Sequence, residues 1–290
     1  MSAVAVATDA ARLRREARSE RIRLVAQTPT VVVGATVLLV WVACALFASR
    51  VAPHDPIAPD ILHKLQPPSG AHLFGTDSLG RDVLSRVIFG ARGILVVAPL
   101  ATLFGTVLGT SIGLVAGYVG GVVEEALMRV TDAFLAIPAI IVALLALVAL
   151  GPSTAAVIFV IGLVFAPIIA RTVRAAVLGE ANLEYVQAAR LRQEAAPYVM
   201  FVEILPNVLG PVLVEFTVRL GYAIFATATL SFLGFGIQPP APDWGLSIFE
   251  QYSFLVGGLW WPVLFPALAI ASLVVAVNLV ADGLSQALER

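Results

Sequence analysis

Two groups of side chains in this sequence have the types and spacing for chemistry. Glu215 and Arg219 stand four residues apart within a long apolar run, acid first, the favoured order for an ion pair along one helix face. An unpaired arginine at the centre of a membrane helix costs about 2.5 to 3.5 kcal/mol, so such a pair is expected to face a bundle interior or a water-filled path. Two roles stay open for it: lining such a path, or making a packing contact with another chain. His54, His63 and His72 form the second group, equally spaced in one polar segment. Their separations fit neither a helix face nor a zinc-ligand spacing, so they read as solvated loop histidines, and no metal is expected.

Enzyme motifs do not accompany these groups. A P-loop needs Gly-x-x-x-x-Gly-Lys-Ser/Thr, and the chain's one lysine, Lys64, lies between His63 and Leu65 outside any glycine loop. No His-Glu-x-x-His occurs, and the one Gly-x-Ser-x-Gly, Gly109-Thr110-Ser111-Ile112-Gly113, lies within an apolar run. The chain is therefore expected to bind no cofactor and to hydrolyse no ATP itself. Cys44 is the single cysteine and sits in an apolar run, which excludes an intrachain disulfide.

The elements that must position these residues follow from composition. Hydrophobic residues make up 59% of the chain and charged residues 13%, with mean hydropathy +0.95. A soluble surface needs about 25% charged residues, so the expected solvent is a bilayer. The formal net charge of -1 gives no basic field for nucleic acid.

Apolar blocks run over 30–49, 94–118, 133–150, 154–177, 208–234 and 259–281. In lipid every backbone amide needs an internal partner, and these runs are too long and too uniformly apolar for barrel strands, so an all-α integral membrane protein of six spans is predicted. The first block competes with a signal peptide, because Ala43-Cys44-Ala45 imitates a cleavage site. It is long enough to cross a core of about 30 Å, so it is read as an uncleaved span. The expected organisation is a tail over 1–29 and a membrane domain over 30–290. Arginines of the tail, Arg129, Arg171, Arg174, Arg190, Arg192 and Arg290 share one side if the N-terminus is cytoplasmic. That places both termini inside, the polar segments 50–93 and 235–258 outside, and a charged loop over 179–207 inside.

Within that inner loop, "EYVQAARLRQEAAPYVMFVEILPN" (184–207) reads as a helix with Tyr185, Ala188 and Ala189 on one face and Gln187, Arg190, Gln193 and Glu194 on the more polar side. Pro197 breaks or restarts it, and Leu205-Pro206-Asn207 begins the next span. Small alanines leave the backbone open to close approach by another protein. In the outer segment 50–93, Thr76 or Asp77 is expected to cap a helix whose Leu79, Val83, Leu84, Val87 and Ile88 form an apolar side. Arg81, Asp82 and Arg86 are then expected to point to water.

The inner stretch resembles the EAA-type loop of ABC importer permeases. "HLFGTDSLGRDVLSRVIFGAR" (72–92), "MRVTDAFLAIP" (128–138) and "LSFLGFGIQPPAPDWG" (230–245) are similar to blocks of the C-type permease subunit of dipeptide, oligopeptide and nickel importers. Two positions depart from the family pattern: Gln187 opens the triplet, and Gln193 stands where a glycine usually lets the turn tighten against the ATPase. The resemblance implies a type I importer fold in the bacterial inner membrane. Implied partners are a B-type permease, two ATPase subunits carrying ATP and magnesium, and an external solute-binding protein, with short peptides as cargo. It also implies ATPase coupling through Glu184, Tyr185, Gln187, Ala188, Ala189, Arg190, Gln193 and Glu194. Binding-protein docking is implied around Asp77, Arg81, Asp82, Arg86, Pro239, Pro240, Asp243 and Trp244. The alternatives are import of nickel or another small complex, and a stand-alone secondary transporter. The latter is disfavoured because Glu215 is the one acid well inside a span.

Overall fold

A computed structural model describes residues 28–289 and the side chains to 285; the arginine-rich part of the expected tail and Arg290 lie outside the described residues. Nine helices organise the described residues. They are α1 Pro29–Val51, α2 Val83–Val119, α3 Gly121–Leu135, α4 Ala139–Leu150 and α5 Thr154–Glu180, then α6 Glu184–Leu191, α7 Ala196–Phe232, α8 Trp244–Gln251 and α9 Trp261–Glu289. No strand occurs among the described residues. Helices α1, α2, α5, α7 and α9 are each long and apolar enough to cross a membrane.

The third expected span is not one straight helix. α3 and α4 meet at Ala136-Ile137-Pro138 with a 90° bend and count as a sixth span only as a broken pair. Physical reasons for the break are legible: Pro138 disfavours helix at the residue before it, and α3 carries Glu124, Glu125, Arg129 and Asp132, which do not enter lipid. At 12 residues, α4 is about 18 Å long, too short to cross alone.

α2 and α5 form the axis of the bundle. α2 carries Gly105, Gly109, Gly113 and Gly117, one per helical turn, on the face toward α5. A Cβ added at Gly109 would sit 2.6 Å from the Ala166 carbonyl oxygen, and one at Gly113 2.8 Å from that of Ala170. The two backbones are therefore in close contact, the arrangement by which membrane helices gain dispersion energy without help from water. With 37 residues α2 is roughly 55 Å long. It starts in a polar cap built from the segment before it and α8, and ends beside α6, so it physically joins the two regions where the sequence concentrates charge.

Candidate functional site

α6 is an elbow between two spans. Val186 and Ala189 are fully buried, and this pair, three residues apart, seats the short helix on its own chain. Ala189 is thus not part of an open docking face, as its place in the alanine-rich triplet suggested. Glu184, Gln187, Ala188, Arg190 and Gln193 are exposed, and Tyr185 and Glu194 are half-buried.

The turn after α6 has a left-handed residue: Gln193 has φ +58°. Its amide donates to the Arg190 carbonyl at 2.9 Å, and the Glu194 amide donates to the Ala189 carbonyl at 3.2 Å, a Schellman closure of the helix end. Gln193 thus keeps the left-handed geometry of the position where the family pattern has glycine. Glutamine adopts it at a cost of about 1 to 2 kcal/mol relative to a right-handed conformation. Pro197 restarts the chain as helix, occupying the first turn of Ala196–Tyr198. From there α7 continues without a break. A π-turn over Val199–Ile204 precedes Pro206, and its wider hydrogen bonding accommodates the missing proline donor. Leu205-Pro206-Asn207 therefore lies inside a continuous helix rather than opening one.

Three spans converge on this elbow. Tyr185 donates its hydroxyl to Glu180 Oε2 at 2.6 Å and accepts from Asn207 Nδ2 at 3.1 Å, so one ring ties the end of α5 to the lower part of α7. Partial burial and the Glu180 carboxylate push the Tyr185 hydroxyl up to about 12, so it stays a donor throughout the physiological range. Arg190 lies over the Tyr118 ring at 4.7 Å and donates to the Tyr118 carbonyl at 3.4 Å, reaching the end of α2. Arg174 of α5 donates to Glu124 of α3 at 2.6 Å. Displacement of α6 would therefore be shared among α2, α5 and α7.

The cap at the opposite end of α2 departs from its expected character. Asp82, not Thr76 or Asp77, caps the helix, accepting from the Ser85 amide at 2.8 Å. Asp77, Arg81, Asp82 and Arg86 are all at most 5% exposed and do not point to water. The reason is pairing. Arg81 donates to Asp77 at 2.6 Å and to Glu250 at 2.8 Å, and Arg86 lies 3.7 Å from Asp77 and 3.8 Å from Glu250. Two acids and two bases cancel, so the cluster can be buried without an isolated charge.

The segment 235–258 is locked to the same structure. Asp243 caps α8 through the Leu246 amide at 2.8 Å and accepts from Ser231 at 3.2 Å, while burial pushes its carboxyl up from the ordinary aspartate range. Trp244 is buried and donates to the Val87 carbonyl at 2.8 Å, against Gly90, where a Cβ would come within 2.6 Å of the indole. Gln251 exchanges hydrogen bonds with Ser78 at 2.9 and 3.1 Å. Of the residues expected at a docking surface, Pro239 and Pro240 are exposed; Asp243 and Trp244 are not.

Glu215 and Arg219 do pair, at 3.0 Å, as their spacing predicted. Thr172 of α5 donates to the second Glu215 oxygen at 2.9 Å, and Arg219 lies over Tyr222 at 5.4 Å. Both side chains remain partly exposed, at 15% and 16%.

Sequence reading missed Glu180, whose partner Tyr185 is five residues on across a helix break, and Asn207, Tyr118, Glu250 and Gln251, which act through partners distant along the chain. The four-residue glycine repeat of α2 was a usable signal for the α2–α5 contact.

These features define an all-helical, multi-pass membrane protein with a short elbow helix at one end and a polar cap at the other. Residues 109–290, more than half of the chain, match the family described as binding-protein-dependent transport system inner membrane component. The chain is 43% identical over 264 residues to the dipeptide transport system permease protein DppC of Escherichia coli K12, covering 89% of this chain and 88% of that protein. It is 37% identical over 262 residues to the di/tripeptide transport system permease protein DppC of Pseudomonas aeruginosa UCBPP-PA14, covering 88% and 86%. A structure of the MetNI methionine ABC transporter in inward-facing conformations aligns with TM-score 0.55 at 19% identity, covering 71% of this chain and 97% of that one, which supports the fold. The chain belongs to the binding-protein-dependent transport system inner-membrane component family. It is a multi-pass inner-membrane permease with the type I importer fold. Permeases of this family are not themselves enzymes, and membership implies ATPase and permease partners.

Proposed function

We propose that this chain forms one half of the translocation path of an ATP-driven importer of short peptides. It pairs with a B-type permease, two ATPase subunits or domains that carry ATP and magnesium, and an extracytoplasmic solute-binding protein. Both termini and α6 face the cytoplasm. The observation that carries this reading is the elbow. A short helix with Gln187, Ala188, Arg190 and Gln193 open to a partner is tied by Tyr185 and Arg190 to three spans. ATPase closure pushes α6; α2, α5 and α7 rock together, and access to the path changes side. Peptide cargo is supported by the names of the relatives, and a partly exposed acid and base in α7 suit a zwitterionic peptide.

The cap residues keep a part in docking, but an indirect one. Asp77, Arg81, Asp82, Arg86, Asp243 and Trp244 hold the shape of the outer surface, and Pro239 and Pro240 are left to meet the binding protein.

The test is reconstitution of the complex in nanodiscs with measurement of dipeptide-stimulated ATP hydrolysis and of dipeptide uptake in proteoliposomes. Stimulation by loaded binding protein is expected, and solute movement by this chain alone would overturn the reading. Glu215→Gln is expected to lower uptake without lowering assembly; equal loss of both would make the pair a packing contact instead.

A further inference from the structure

We infer that His54, His72 and Asp82 form a binding site for a divalent transition-metal ion of the zinc class. The three come from separate pieces of chain: the stretch after α1, the loop before α2, and the N-cap of α2. Nine-residue spacing hid this, because only the folded loop brings His54 and His72 together and sends His63 to Asp60, at 2.7 Å. One donor atom from each member of the triad lies within 4.8 Å of the others. His72 Nδ1 is 2.8 Å and His54 Nδ1 3.5 Å from the same oxygen, Asp82 Oδ1, and the two imidazole rings stand 4.7 Å apart.

The carboxylate is prepared for this role. Its side chain is 1% exposed, and Oδ2 is saturated by the Ser85 amide at 2.8 Å and the Ser85 hydroxyl at 2.7 Å, which leaves Oδ1 aimed at the histidines. The Ser85 hydroxyl also accepts from the His54 amide at 3.0 Å, fixing the backbone of the most exposed donor. Two neutral imidazoles and one carboxylate oxygen, with bonds of about 2.0 to 2.2 Å, form a donor set that suits zinc and its neighbours rather than calcium or magnesium. Modest rotation of His54, whose side chain is 43% exposed, brings the three donors to that radius.

Access is also present. The triad lines an open cleft of about 600 Å³ that also receives His63, Asp55 and Asp60, so a fourth coordination position is open to water or to a donor from a docked protein. An ion here joins the chain after α1 to the start of α2 and stiffens the cap. The proton on His72 Nδ1 that now bridges to Asp82 is replaced by the metal.

The full-length chain is purified in its membrane complex with a histidine-free tag, stripped with EDTA, and titrated with zinc against a chromophoric chelator. One zinc per chain at micromolar affinity or tighter is expected. His54→Ala and His72→Ala are each expected to weaken it at least tenfold, whereas His63→Ala leaves it unchanged. Asp82 keeps its capping role in all three variants, and the melting temperature of each metal-free variant identifies any that misfolds. Should one fail to fold, the other, or the gentler His54→Gln, carries the test. Absence of stoichiometric zinc, or equal weakening by His63→Ala and His54→Ala, would overturn the inference.

Discussion

The cap and the elbow look alike in sequence, each a charged interruption between apolar runs, yet they treat charge oppositely. In the cap, Asp77, Arg81, Arg86 and Glu250 neutralise one another away from water, and α8 is fastened over them by Trp244 and Gln251. In the elbow, Arg190 and Arg192 lie in the open, and just two side chains of α6, Val186 and Ala189, are buried. A cluster that satisfies itself makes a rigid part. A helix whose polar groups remain available leaves a surface open, and under the proposed function its few anchors would carry movement to the spans.

That contrast can be broken most forcefully at Arg81. Arg81→Ala leaves two buried acids for one base and is expected to destabilise the chain by about 3 to 5 kcal/mol, read as a lower melting temperature of the purified complex and less of it in the membrane. The same substitution at Arg190 is expected to cost about 1 kcal/mol or less, because that pairing is exposed. Similar losses at the two arginines would erase the distinction drawn between the regions.

Tyr185→Phe sharpens the elbow half of the comparison. It removes the bonds to Glu180 and Asn207 at a cost of about 1 kcal/mol in stability. Dipeptide-stimulated ATP hydrolysis is nevertheless expected to fall by roughly fivefold or more, since a coupling free energy of 1 to 3 kcal/mol corresponds to that range. Full coupling in this variant would show that force does not pass through the tyrosine.

The smallest effect is expected from Gln193→Gly. Relief of the left-handed strain is partly offset by the greater freedom of glycine in the unfolded chain, for a net gain of up to about 1 kcal/mol. ATPase affinity for the permease, measured by titration in detergent, should be unchanged or slightly tighter. Clear loss would mean that the Gln193 side chain itself contacts the partner.

Much of the elbow was legible because its signals are local. The helix from Glu184 and the restart at Pro197 depend on neighbouring residues and appeared where expected, although the helix ends at Leu191, so Gln193 and Glu194 lie in the turn rather than on its polar face. The intrahelical pairing of Glu215 with Arg219 was readable for the same reason. The cap was misread because amphipathic periodicity assumes that one face of a helix meets water. Arg81, Asp82 and Arg86 are buried through partners such as Glu250, 169 residues from Arg81 along the chain, and Ser247. The third span failed for a smaller reason: an apolar window bridged Pro138 and smoothed over a right-angle bend.

The sequence by itself determined the solvent, the helical class, the places where helices begin and turn, and the absence of a nucleotide-binding loop. Hydropathy and backbone propensity act over a few residues and are written in order along the chain. Tertiary structure alone decided which charges are hidden, which tyrosine joins two spans, and that two of three evenly spaced histidines meet one aspartate. Burial and coordination depend on what the rest of the chain brings alongside, and no spacing along the sequence records that.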